Sequence, residues 1–174
     1  KLIDQVGFPK GVVSIITGSA ENCAIPLTQH PKIDRIAFTG GPEAARHVVR
    51  NSAENFAVTT LELGGKSPIL VFEDADLESA ANGLIAANFG ASGQSCVAGS
   101  RGLIHRSVFK AVAQLIEKKA KDIIVGNPLD AHTHVGPLCT KAQVDKIEST
   151  LAQARSQGAK IRFGGEKAHE LGNY

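Results

Sequence analysis

Short β-branched runs alternate along this chain with longer stretches of helical period, and Gly, Pro or Asn marks most of the joints. Val12–Ile16, Ile33–Phe38, Thr59–Leu63, Ser67–Phe72, Ser100–His105 and Lys160–Phe163 read as strands. Between them, Ser19–Gln29, Pro42 to about Asn51, Leu77–Phe89 and Val108–Asp122 read as helices, with a last one running from its cap Thr140 to Ser156. Leu77, Ala80, Ala81, Leu84, Ile85 and Asn88 recur at helical spacing. Ser19 and Ser107 stand where caps belong, Pro42 suits a first helical position, and Gly158 suits a stop. Strands that alternate with helices join by crossovers into parallel sheets. The expected fold class is therefore α/β, parallel sheets with flanking helices.

Charge and composition remove several classes of function. The net charge is +2, and no basic cluster exceeds Lys118-Lys119 with Lys121, which read as the wet face of a helix. No nucleic-acid partner is expected. No apolar run approaches the ~18 residues of a membrane span, so no membrane partner is expected either. Cys23, Cys96 and Cys139 are scattered and odd in number, which argues for reduced thiols and a cytoplasmic setting. Cys23, in an apolar helix, reads as core packing, and Cys139 after Gly136-Pro137-Leu138 as structural. His132 and His134 flank Thr133 with no third ligand nearby, so they read as a surface loop and no metal is expected. Lys1–Val6 reads as the end of a helix already under way, and the chain as a segment of something longer.

Chemistry concentrates between Leu61 and Cys96. One end carries Leu61-Glu62-Leu63-Gly64-Gly65-Lys66-Ser67-Pro68, and the other Gly93-Gln94-Ser95-Cys96. Gly-Lys-Ser invites a phosphate-loop reading, but the first glycine of that motif would fall on Thr60, and a strand follows where its helix should begin. A carboxylate and a thiol remain, the minimal outfit for covalent catalysis at a carbonyl. Glu62 sits between Leu61 and Leu63, where partial desolvation would suit a general base. Gly40-Gly41 lies at a strand-to-helix turn, the place where α/β sheets collect ligands.

The Leu61–Pro68 segment resembles the glutamate signature of the aldehyde dehydrogenase superfamily. Phe89-Gly90-Ala91-Ser92-Gly93-Gln94-Ser95-Cys96 resembles its cysteine signature, at a fitting distance and in the right order. Phe38-Thr39-Gly40-Gly41 is similar to the family's Phe-Thr-Gly-Ser turn against the dinucleotide, with Gly41 in place of the serine and Ala45 in place of a frequent second glycine. The resemblance runs from Gly7-Phe8-Pro9 to Gly164-Gly165-Glu166, the middle part of such an enzyme.

That resemblance implies residues 1–64 as the C-terminal part of a Rossmann-like dinucleotide-binding domain, and residues 65–174 as the N-terminal part of a catalytic domain. It implies oxidation of a small-molecule aldehyde to a carboxylic acid with NAD or NADP, in the non-acylating branch. Cys96 is the nucleophile and Glu62 the base; Thr39, Gly40, Gly41, Leu63 and Gly64 touch the cofactor. Glu62 and Cys96 are expected to face one cleft. The family's oxyanion asparagine, its adenosine-ribose lysine and its nicotinamide-ribose glutamate fall outside these residues. The full-length protein is expected to be a homodimer or homotetramer, and the segment alone inactive. Two alternatives stay open: a CoA-acylating dehydrogenase, disfavoured by the presence of Glu62, and a non-catalytic structural or binding relative, disfavoured by the presence of both Glu62 and Cys96.

Overall fold

A computed structural model describes residues 1–167. It divides into two compact units, Lys1–Gly64 and the chain from Gly65 onward. Each is built round one strand–helix–strand crossover with parallel strands, as the alternating pattern requires.

In the first unit, β1 (Arg35–Gly40) and β2 (Val58–Leu63) pair in parallel, joined through α3 (Pro42–Ser52). Burial alternates along both strands, the period-2 signature of a sheet with one covered face. The half-buried residues are Ile36, Phe38 and Gly40 on β1, with Thr59, Leu61 and Leu63 on β2. Helix α3 packs on this pair and buries Ala45 and Val48. Ahead of the sheet lie α1 (Leu2–Val6), a π-turn at Ala20–Ala24 and α2 (Ile25–Thr28). Ser19 caps the π-turn as expected, accepting from the Asn22 N–H at 3.3 Å. Thr28 is buried, and its hydroxyl takes a hydrogen bond from the Asn51 side chain at 2.9 Å, tying α2 to α3.

In the second unit, β3 (Pro68–Val71) and β4 (Arg101–Ile104) are parallel partners, with α4 (Leu77–Phe89) between them in sequence. Helix α5 (Phe109–Ala120) packs on α4. Val71, Leu84 and Val112 form the buried centre, and Ile69, Leu77, Ala80, Ile104 and Ile116 pack round it. Emptying such a centre by one Leu→Ala change costs ~2–5 kcal/mol. Helix α6 (Lys141–Ser156) buries only Val144, so its ends carry more of its definition. Thr140 accepts from the Gln143 N–H at one end. At the other, Gly158 at φ 85 donates to Arg155 O while Ala159 donates to Ala154 O, the paired bonds of a Schellman stop.

Several expectations fail for identifiable reasons. Val12–Ile16 is not a strand: a β-branched run becomes one only when a neighbour completes its ladder. Among the described residues none does, and all four aliphatic side chains are exposed. Lys160–Phe163 is likewise irregular, with Arg162 drawn onto Glu117 of α5 as an ion pair. Ser107 does not cap α5: its hydroxyl pairs with His105 Nδ1 at 2.8 Å, and Val108 occupies the cap position without a side-chain bond. Cys23 is only half-buried rather than a core thiol, and Cys139 is exposed.

Candidate active site

The first unit gathers its candidates at the carboxyl ends of β1 and β2. Parallel register sets Thr39 beside Glu62 and Gly40 beside Leu63. Thr39 and Glu62 are exposed, on the face opposite α3; Gly40 and Leu63 lie half-buried on the covered face. Alternation therefore corrects the expected desolvation of Glu62. Leu61 and Leu63 point to the other side of the sheet and cannot shield it.

Gly40 and Gly41 are glycines for different reasons. A Cβ on Gly40 would stand 2.6 Å from the Phe38 ring, which fills its place. A Cβ on Gly41 would meet nothing within 4 Å, and its φ of −78 suits any residue. Gly41 is also the cap of α3 and leaves that helix without a side-chain capping bond. The Glu43 and Ala44 N–H groups thus have no side-chain cap at the positive end of the helix dipole. Pro42 and Glu43 follow as expected, and Ala45 fills its position as a buried methyl at 3% exposure.

Cys96 belongs to the second unit and is exposed. It occupies a turn from Ser95 to Ala98, closed by the Ala98 N–H on Ser95 O at 3.2 Å. Among the described residues no group accepts from the Cys96 N–H, which is left available to a ligand. Gly65 lies against this turn: a Cβ there would be 3.5 Å from Cys96 O.

The approach to Cys96 is strained. After α4 the backbone enters the left-handed region at Ala91 (φ 51), Ser92 (φ 54) and Gly93 (φ 72). For residues with a Cβ this costs roughly 1–2 kcal/mol each. Three side chains hold the loop in place. Asn88 donates to Gly99 O at 2.7 Å and fastens the far end to α4. Ser92 Oγ accepts from the Gly136 N–H at 3.0 Å. Gln94 accepts from the Cys139 N–H at 2.9 Å and donates to Pro137 O at 3.5 Å. Sequence reasoning missed these roles. The usable signal was one long amide side chain inside a run otherwise made of Gly, Ala and Ser.

The remaining candidates behave as surface. His134 Nδ1 accepts from the Ile124 N–H at 3.0 Å, which orders a loop. A concavity of the second unit, lined by Gln114, Glu117, Lys121, Val125, Arg162 and Phe163, contains none of the candidate residues.

With this geometry in place, comparison decides the family. The model of the aldehyde dehydrogenase family matches residues 1–174. The chain belongs to the aldehyde dehydrogenase family. It is 52% identical over 174 residues to the (Z)-2-((N-methylformamido)methylene)-5-hydroxybutyrolactone dehydrogenase of Acinetobacter baylyi, matching all of this chain and 36% of that protein. It resembles the betaine aldehyde dehydrogenase of Staphylococcus aureus in complex with NAD+, with TM-score 0.91 and 37% identity, over 95% of this chain and 33% of that one. It also resembles an aldehyde dehydrogenase mutant from Bacillus cereus, with TM-score 0.95 and 38% identity, over 99% of this chain and 35% of that one. The chain thus spans about a third of the length of these aldehyde dehydrogenases. No helix among the described residues is long and apolar enough to cross a membrane.

Proposed function

We propose that the full-length protein oxidises an aldehyde to a carboxylic acid, with Cys96 as nucleophile and Glu62 as the base that activates water. The observation that carries this reading is the setting of Cys96: an exposed thiol on a strained, side-chain-braced loop, with its own N–H unengaged. A packing cysteine needs none of this. Residues 1–64 then form the C-terminal part of the dinucleotide-binding domain, and residues from 65 onward the N-terminal part of the catalytic domain.

The Cys96 thiolate attacks the aldehyde carbon, forming the C–S bond and an alkoxide. The Cys96 N–H donates toward that oxygen, where preorganised donors favour the developing charge. Collapse of the alkoxide expels a hydride from carbon and leaves a thioester on Cys96. Glu62 takes a proton from water, the hydroxide adds to the thioester carbonyl, and the acid departs as the thiolate is restored.

The hydride requires an acceptor, which NAD or NADP supplies when bound. The residues present fit one. Thr39 and Glu62 mark the carboxyl ends of two parallel strands, Gly41 leaves room for close approach, and the first turn of α3 presents unengaged N–H groups. Thr39, Gly40, Gly41, Leu63 and Gly64 are assigned as cofactor contacts on this basis, and the NAD+ bound in the Staphylococcus relative supports it.

The test uses the full-length protein. Aldehyde-dependent growth of the reduced-nicotinamide absorbance is expected, with a carboxylic acid as product by mass spectrometry, and with both lost in Cys96→Ala. Acyl-CoA formed only in the presence of CoA, or turnover that survives in Cys96→Ala, would overturn the reading.

A further inference from the structure

We propose that Gln94 is the positioning residue for Cys96: its carboxamide, with the Ser92 hydroxyl, clamps the left-handed turn 91–93 onto the segment 136–139 and so fixes where the thiol points. The proposal rests on the reading of Cys96 as nucleophile and deepens it. Three successive residues in the left-handed region do not persist alone, because local strain survives only where surrounding structure over-determines it. The bonds that do so here run to one segment. Ser92 Oγ accepts from Gly136 N at 3.0 Å, Gln94 Oε1 accepts from Cys139 N at 2.9 Å, and Gln94 Nε2 donates to Pro137 O at 3.5 Å. Gln94 therefore reads an N–H and a C=O of the same peptide stretch, as the backbone of a neighbouring strand would.

The segment it grips is itself ordered. Val135 bridges to Val125 in parallel fashion, and Thr140 begins α6 as its cap. On the other side of the thiol, Gly99 is fastened to α4 by Asn88. Cys96 thus hangs between two anchors. The one at Gln94 lies two residues away, nearer to the thiol than the Ser92 bond to the same segment. Gln94 touches no reacting atom in this account. It acts through the placement of Cys96.

In the full-length enzyme, Gln94→Ala should slow the pre-steady-state hydride burst by up to about 100-fold, the scale of a 1 Å misplacement of a reacting group. The KM for the nicotinamide cofactor and the melting temperature should stay close to wild type, which loss of a merely structural contact would not produce. Gln94→Glu keeps the acceptor for the Cys139 N–H and loses the donor to Pro137 O, so its burst should be intermediate. Ser92→Ala should slow the burst less than Gln94→Ala. The double variant should fall short of the product of the two effects, because both residues hold one turn. If Gln94→Ala is insoluble, Gln94→Glu and Ser92→Ala carry the test through the same burst measurement. A wild-type burst rate in the soluble variants, with Cys96→Ala inactive, would overturn the clamp and leave the nucleophile assignment standing. An active Cys96→Ala would overturn that assignment instead.

Discussion

Thr39 and Glu62 are register partners across the parallel pair β1 and β2, and both face away from α3 at the carboxyl ends of their strands. Nothing on their own strands desolvates the carboxylate, so the proposed work of Glu62 as a base needs the environment of the full-length protein. The expected outcome of Glu62→Gln in that protein is unequal damage. The amide keeps size and hydrogen bonding but accepts no proton. Steady-state turnover should fall by about 10²–10⁴, the usual contribution of a general base. One stoichiometric burst of reduced cofactor should remain, since hydride transfer needs only the thiohemiacetal and bound cofactor. Stopped-flow absorbance measures both. Unchanged turnover, or no burst at any pH, would remove Glu62 from the deacylation step.

The cysteines provide an independent check on the loop. Cys96 and Cys139 are exposed, whereas Cys23 is half-buried, its Cβ 2.9 Å from the place a Gly18 side chain would begin. With limiting iodoacetamide on the full-length protein, Cys96 should be alkylated first, Cys139 later and Cys23 last. Saturating nicotinamide cofactor should change the Cys96 rate and leave that of Cys139 alone. Peptide mass spectrometry reads the order. Loss of activity that tracks the Cys139 adduct would count against Cys96.

A pair of glycines separates packing from conformation. Gly99 is buried, and a Cβ there would lie 2.2 Å from Ile69 Cδ1, 2.6 Å from Ile69 Cγ1 and 3.2 Å from Ala87 Cβ. Gly99→Ala should destabilise by ~1–3 kcal/mol, the usual cost of overpacking, and should disturb the anchor that Asn88 makes on Gly99 O. Gly41→Ser meets open space and should stay within about 0.5 kcal/mol of wild type. Denaturant melts of the full-length protein decide both. Equal midpoints for the two variants would show that the Gly99 contact relaxes at no cost.

The alternation of period 2 with period 3.6 made most of this fold legible. Helix Leu77–Phe89 was expected at the boundaries observed, and β1, β2, β3 and β4 lie within two residues of their expected ends. Val12–Ile16 and Lys160–Phe163 failed because strand formation depends on a partner, which propensity cannot see. Ser107 failed as a cap because His105 competes for its hydroxyl at 2.8 Å. The candidate thiol and carboxylate could be read from local motifs. The brace at Gln94 could not, because its partners lie 43 and 45 residues downstream in the chain. The left-handed turn was hidden for a related reason: Ala91 and Ser92 carry no preference for it, and the fold imposes it.

Asp76 gives the last prediction, on the helix that carries the Cys96 loop. It caps α4, its carboxylate accepting from the Ser79 N–H at 2.7 Å. That backbone bond, aided by the Ser79 hydroxyl, holds the Asp76 carboxyl below its ordinary value. A carboxyl lowered in the folded state favours folding while it is ionised. Its contribution is therefore present above the unfolded value of about 3.9 and is lost as pH falls through the lower folded value. Asn caps a helix about as well as Asp but carries no charge for the dipole. Asp76→Asn should thus be modestly less stable than wild type at neutral pH, and the gap should close as the pH falls below the unfolded Asp value and through the lower folded one. Asp76→Ala, with no acceptor, should be the least stable of the three at every pH. Glu78 lies in the same turn but is common to all three proteins, so it cancels from the differences. Denaturant midpoints of the full-length proteins across this range measure the effect. A wild-type-to-Asn gap that stays constant with pH would show that the Asp76 charge contributes nothing to α4.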